Sequence, residues 1–278
     1  MKVILPKSPQ GFCFGVKRAI EMVRSQTKPV AVLGQLVHNP GVIKQLEKEQ
    51  IFTINSPNEA PTSAIMATTA HGATKQTFLA LSKIQVVDTT CPYVERLQKT
   101  AIQLEEDGWK VIILGDASHP EIMSVTSFLS DPTVVANLQE AKNVGFFEKI
   151  ALVSQTTQTH EAFEEIAVEL KKHCSQLTVA ETICFSTKER QEQVKELARN
   201  AGAVIIVGGK KSANTRRLFE LSQKINPNSF WIESATEVDK SFSDQLKTLA
   251  DGQPVGIISG ASTPIEDYEE VIKAIDAL

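Results

Sequence analysis

Short β-branched runs closed by turn residues alternate with helix-like segments along the whole chain, and this alternation leaves little freedom of architecture. "VAVLG", "KVIILG", "AVIIVGG" and "VGIISG" read as strands buried on both faces, and "VERLQKTAIQLEED" between two such runs carries apolar residues at three- and four-residue spacing. Strands that alternate with amphipathic helices predict an α/β fold with parallel sheets. No low-complexity linker interrupts the pattern.

A longer period lies on top of it. After Cys13, Cys91 and Cys184 the chain gives, each time, a helix, an apolar strand ending in Gly, a polar loop and a second helix. The polar loop falls 25 residues after Cys13 at His38, 28 after Cys91 at His119 and 28 after Cys184 at Ser212. Each unit then offers another strand that ends in small polar residues: "AIMATTAHGATKQ", "IALVSQTTQTHEAF" and "VGIISGASTPIEDY". Three copies of one supersecondary unit predict three α/β lobes related by a pseudo-threefold axis. Functional groups of parallel sheets collect at the carboxyl ends of strands, so such an axis aims the three cysteines at one central point.

A cysteine in "GFCFGVKRAI", at a strand-to-helix corner, meets backbone N–H groups and the positive end of a helix dipole, which favour a thiolate. Four cysteines spread over 278 residues do not form a small disulfide scaffold, and a reducing compartment keeps them as thiols. No run approaches the about 18 apolar residues of a membrane span, and the opening "MKVILPKSPQ" does not read as a signal peptide, so a soluble cytoplasmic protein is expected. A net charge of −4 with "GKKSANTRR" as the one basic patch argues against nucleic acid as a partner. Three converging thiolates point to a soft metal centre, zinc or an iron–sulfur cluster, with a fourth coordination position open for a reactant. Cys174, in "KKHCSQL", has no counterpart in the other units and reads as structural or incidental.

The strand-end loops describe the reactant. "VHNP" (His38), "AHGA" (His71), "KSANT" (Ser212, Asn214) and "GAST" (Ser262) supply short polar donors of the kind that, with helix N-termini, cradle phosphate. "SHPEI" adds His119 and Glu121, and "SQTTQT" adds Thr156 and Thr157, an acid, an imidazole and hydroxyls suited to proton delivery.

In their order, "GFCFGVKRAI", "VHNP", "AHG", "DTTCP", "SHPE", "SQTT", "TICFSTKERQ", "GGKKSANTRRL" and "SGASTP" resemble the 4-hydroxy-3-methylbut-2-enyl diphosphate reductase family, from Cys13 to Pro264. The resemblance implies three α/β lobes around a central [4Fe–4S] cluster, at residues 13–90, 91–181, and 1–12 with 182–278, the opening strand completing the third. It implies Cys13, Cys91 and Cys184 as cluster ligands, with the remaining iron meeting the substrate hydroxyl. His38, His71, His119, Thr156, Ser212, Ala213, Asn214 and Ser262 are implied as substrate-binding residues, and Glu121, His119 and Thr156 as the catalytic group near the allylic hydroxyl. Family members often carry a second Ser where this chain has Ala213, so that contact is lost or supplied by the backbone N–H. The implied reaction is reductive dehydroxylation of an allylic diphosphate to isopentenyl and dimethylallyl diphosphate, with electrons from a ferredoxin- or flavodoxin-type protein and no nucleic-acid or membrane partner.

The residues alone leave other readings standing. An iron–sulfur electron carrier or a zinc hydrolase uses the same three thiols, while a dinucleotide-binding dehydrogenase lacks its G-x-G-x-x-G after the first strand. Glu121, Ser212, Asn214 and Thr215 also suit helix capping, Ser186 with Glu189 reads as a capping box, and Lys17, Arg18, Arg216 and Arg217 read as solvated helix faces. A carboxyl that donates a proton at neutral pH must have a raised pKa, so Glu121 is expected in a dry pocket.

Overall fold

The structure is a computed structural model that describes residues 1–277. In chain order its strands are β1 (Val3–Ile4), β2 (Val30–Leu33), β3 (Ile51–Ile54), β4 (Ile65–Ala67), β5 (Val86–Val87), β6 (Lys110–Leu114), β7 (Thr133–Val135), β8 (Phe147–Ser154), β9 (Cys174–Val179), β10 (Ala203–Val207), β11 (Ser229–Ile232) and β12 (Val255–Ser259). The helices are α1 (Phe14–Arg24), α2 (Pro40–Lys48), α3 (Lys75–Ala80), α4 (Pro92–Glu106), α5 (Pro120–Thr126), α6 (Leu138–Ala141), α7 (His160–Leu170), α8 (Phe185–Asn200), α9 (Ala213–Ile225), α10 (Lys240–Ala250) and α11 (Ile265–Asp276).

These strands form three four-stranded sheets with one strand order, β3-β2-β4-β5, β7-β6-β8-β9 and β11-β10-β12-β1, and the strands within each are paired in parallel. The α/β architecture of three sheets expected from the repeats is therefore present. In the third sheet the outer position is taken by the first strand of the chain, β1, which pairs with β12.

Alternate residues of the central strands point to opposite faces, so an apolar run fills two cores at once. Ile205, Val207, Val255 and Ile257 face α10 and α11, packing with Leu246, Tyr268, Val271 and Ile275. Val204, Ile206 and Ile258 face the other way, onto Val194 and Leu197 of α8 and Leu218 of α9. The second sheet repeats this: Ile112, Leu114, Ile150 and Leu152 meet Phe163, Ile166 and Leu170 of α7, while Val111, Ile113 and Val153 meet Leu97 of α4 and Ile122 and Val125 of α5. In each case the helix after the cysteine and the helix after the polar loop share one face.

The three copies agree in single hydrogen bonds. Each of β2, β6 and β10 is followed by a glycine whose N–H donates to the neighbouring strand's last carbonyl: Gly34 to Ile54 at 2.8 Å, Gly115 to Val135 at 3.0 Å and Gly208 to Ile232 at 2.9 Å. Contact density divides the chain into two units: Met1–Lys17, Val37–Gln45 and the chain from Phe185 onward, which holds the β11-β10-β12-β1 sheet, and Arg18–Leu36 with Leu46–Cys184, which holds the other two. Among the described residues no helix is long and apolar enough to cross a membrane.

Candidate active site

Each of the three cysteines immediately precedes a helix, and each donates its backbone N–H to a loop that follows a strand. The acceptors are the carbonyls of Ala261 for Cys13 (2.9 Å), Ala70 for Cys91 (3.0 Å) and Thr156 for Cys184 (3.0 Å). These three are equivalent positions, two residues beyond Ser259, Thr68 and Ser154, which sit in matching register and are each 0% exposed. The residue after each acceptor is Ser262, His71 or Thr157, so every cysteine corner is fastened beside a polar strand-end loop.

Behind the cysteines the corners are built in two ways. Thr89 and Thr182, each two residues before its cysteine, donate Oγ1 to the strand-end carbonyls of Thr68 (2.8 Å) and Ser154 (2.5 Å). The equivalent Gly11 has no hydroxyl, and Arg190 of α8 takes over, donating Nη1 to the Ser259 carbonyl at 2.6 Å and Nη2 to the Gly11 carbonyl at 2.7 Å. Among the described residues no cysteine is in a disulfide, and Cys13, Cys91 and Cys184 are each partly exposed. Three half-buried thiols at the positive ends of helix dipoles are a donor set suited to a thiophilic metal group.

In the second unit Glu121 opens α5 and is 2% exposed. Its carboxylate accepts from the Thr156 N–H at 2.7 Å and the Thr156 hydroxyl at 2.9 Å. Burial pushes its pKa up to about 7, against the two Thr156 hydrogen bonds, which favour the charged form. The acid is thus buried, with Thr156 as its hydrogen-bond partner. Thr156 also receives the Cys184 N–H on its carbonyl, so one residue ties the acid to a cysteine corner. His119 caps α5 by accepting the Glu121 N–H on Nδ1 at 3.2 Å, which leaves the neutral ring's proton on Nε2. His71 lies edge-on to His119 with ring centroids 5.2 Å apart. Its loop is docked on α5: Ser124 donates to the Ala73 carbonyl at 2.7 Å, and a Cβ on Gly72, at φ +84°, would stand 2.8 Å from the Ser124 hydroxyl.

In the first unit Ser212 caps α9, accepting the Thr215 N–H, and Ala213 and Asn214 occupy the first helical turn. Asn214 is 5% exposed and Ser262 7%, yet both polar atoms of the Asn214 amide and the Ser262 hydroxyl have no hydrogen-bond partner among the described residues. A buried polar group left in that state costs about 1–3 kcal/mol, which an incoming anion or water relieves. His38 stands four residues after Gly34, as His119 does after Gly115 and Ser212 after Gly208. Burial and the Lys211 ammonium both lower its pKa, favouring the neutral imidazole.

Some roles were not visible in the sequence. Arg18 is not a solvated face residue: it is half-buried and donates to the Thr90 carbonyl, just ahead of Cys91, at 3.0 Å. Ser186 is no cap, because α8 begins at Phe185 and places Ser186 inside the first turn. Cys174 opens β9, donates to the Leu170 carbonyl and packs against the core beside α7, in keeping with a structural role. Thr215, read as a cap residue, is 0% exposed with a hydroxyl that has no hydrogen-bond partner among the described residues, and a Cβ on Gly260 would stand against that oxygen, so glycine is required there.

A family model described as LytB protein matches residues 4–276. The 4-hydroxy-3-methylbut-2-enyl diphosphate reductase of Nitratiruptor sp. is 37% identical over 278 residues, covering 99% of this chain and 98% of its own. A solved structure described as (E)-4-hydroxy-3-methyl-but-2-enyl diphosphate reductase, the terminal enzyme of the non-mevalonate pathway, matches with a TM-score of 0.70 at 33% identity, covering 100% of both chains. The E-1-hydroxy-2-methyl-but-2-enyl-4-diphosphate reductase of Plasmodium falciparum matches with a TM-score of 0.88 at 26% identity, covering 98% of this chain and 87% of that one.

Proposed function

This chain belongs to the LytB protein family, and from that premise we propose that it reduces (E)-4-hydroxy-3-methylbut-2-enyl diphosphate to isopentenyl and dimethylallyl diphosphate. Cys13, Cys91 and Cys184 hold a [4Fe–4S] cluster, each thiol at the start of its helix. When bound, the cluster would supply the two electrons and Lewis acidity toward the substrate's hydroxyl.

The chain's own residues supply binding and protons. His38, Ser212, Asn214 and Ser262, with the Ala213 N–H, receive the diphosphate, and His71 and His119 present imidazoles to the substrate. The support for the cradle is the unpartnered amide of Asn214 and hydroxyl of Ser262. Glu121 holds the proton that the departing oxygen needs, with the Thr156 hydroxyl as relay. The C4–O bond breaks, the oxygen leaves as water, and the two electrons and a second proton end on the allyl fragment, at one of two carbons. A ferredoxin- or flavodoxin-type protein in the cytoplasm delivers the electrons.

The observation that carries this reading is the buried Glu121 carboxyl, held by Thr156 beside the Cys184 corner with a pKa near neutrality. An electron carrier has no use for a buried acid or for unpaired amide and hydroxyl groups, and a zinc hydrolase would be colourless where a cluster is brown. The test is anaerobic turnover of the substrate by cluster-loaded protein with a chemical reductant, products identified by NMR. Both products are expected; their absence from protein carrying full iron and sulfide overturns the reading.

A further inference from the structure

Asn39 lies between His38 and α2, is 6% exposed, and is hydrogen-bonded through both the oxygen and the nitrogen of its amide. Its Oδ1 accepts the N–H groups of Gly41 at 2.9 Å and Val42 at 3.2 Å, capping α2. Its Nδ2 donates to the Ser262 carbonyl at 3.3 Å, and the side chain also hydrogen-bonds the Asp267 carboxylate in the first turn of α11. The preceding residue is equally fixed: a Cβ on Gly209 would stand 2.3 Å from the His38 carbonyl oxygen, so the His38 backbone rests directly on the loop that leads to Ser212. The buried amide therefore joins the His38 and Ser262 loops, and the His38 backbone beside it packs on the Ser212 loop.

We infer that Asn39 is the positioning residue of the diphosphate cradle, its side-chain N–H groups setting the Ser262 loop and α11 against the His38 loop so that their side chains meet one anion. The inference rests on the proposed function, because the cradle is the ligand set named there. Capping alone does not account for the residue. Serine or aspartate caps a helix as well as asparagine does, but neither has the N–H groups that reach Ser262 and Asp267.

The test compares wild type with Asn39→Ser, which keeps a capping oxygen and adds no charge. Calorimetric titration of the cluster-loaded proteins with inorganic diphosphate is paired with steady-state kinetics on the allylic substrate. Asn39→Ser is expected to hold wild-type iron, to bind diphosphate about tenfold more weakly, and to raise KM by a similar factor with a smaller change in kcat. Wild-type diphosphate affinity and KM in Asn39→Ser, with or without a lowered Tm, overturn the inference, since a purely structural cap predicts that result. Should Asn39→Ser not fold, Asn39→Asp/Asp267→Asn conserves charge, cap and the contact to α11 while turning an oxygen toward the Ser262 carbonyl. Weakened diphosphate binding in that pair supports the inference and wild-type binding overturns it. If the wild-type protein itself binds no diphosphate, the functional reading fails first and this one with it.

Discussion

Glu121 and Asn214 are buried alike, 2% and 5% exposed, but their surroundings differ: the acid has two hydrogen bonds from Thr156 and the amide has none among the described residues. The first is a finished arrangement, the second an incomplete one. A buried carboxyl that already has its partners can be tuned by burial, and its chemistry resides in the proton it holds. A buried amide without partners lowers the stability of the folded chain until something binds, and its chemistry is recognition. Substitutions on the two sides are therefore expected to act in opposite ways on stability and binding.

The largest effect belongs to the acid. Glu121→Gln is expected to lower turnover by about a hundredfold or more while leaving iron content and diphosphate binding unchanged, as read by anaerobic kinetics, iron assay and calorimetry. Wild-type rates would remove the carboxyl from the mechanism.

Next comes the contrast itself. Thr156→Val strips a buried carboxylate of a hydroxyl and is expected to destabilise the protein by about 1–3 kcal/mol in urea unfolding. Ser262→Ala removes a buried hydroxyl that has no partner among the described residues and is expected to raise stability by about 1 kcal/mol while weakening diphosphate binding by about tenfold. Equal stability losses in the two would erase the distinction between the sites.

The pH dependence sharpens it further. The folded pKa of Glu121, about 7, lies above its ordinary value of 4.5, so the native state binds more protons than the unfolded one between these values. Its contribution to stability is fully present below pH 4.5 and is lost as the pH rises through 7, a loss that Glu121→Gln abolishes. If the protonated carboxyl is the working form, kcat falls above pH about 7, and Thr156→Val, by withdrawing a bond that favours the charged form, moves that limb to higher pH. The smallest effect is expected at Cys174→Ser, which touches neither side: iron content and turnover stay at wild-type levels, and a changed iron content would add a ligand to the account.

The legible part of the fold was what depends on local pattern. β-branched runs closed by glycine gave the strands, and one cysteine ahead of a helix in each of three segments gave the repeat, because period and turn chemistry are short-range properties. Glu121 was legible as an acid in need of burial only through the proton-donor role that the resemblance implies, because "SHPEI" by itself places it in the first turn of a helix, where capping accounts for a carboxylate. The roles of Arg190 and Asn39 were not. Arg190 reaches Gly11 across 179 positions and Asn39 reaches Ser262 across 223, and nothing in the helical pattern of "KERQ" or the turn signal of "HNP" states what lies at the far end. Arg18 was misread for the same reason: helical spacing gives a side chain's face, not the loop that covers it.

The central claim, that three repeat-related cysteines serve one cluster with a vacancy for the reactant, is tested most directly by Mössbauer spectra of anaerobically purified protein with and without the hydroxylated diphosphate. Four irons per chain, one of which changes its spectrum on adding the substrate, is the predicted result. A protein that holds zinc in place of iron, or a cluster whose spectrum saturating substrate leaves unchanged, would contradict it.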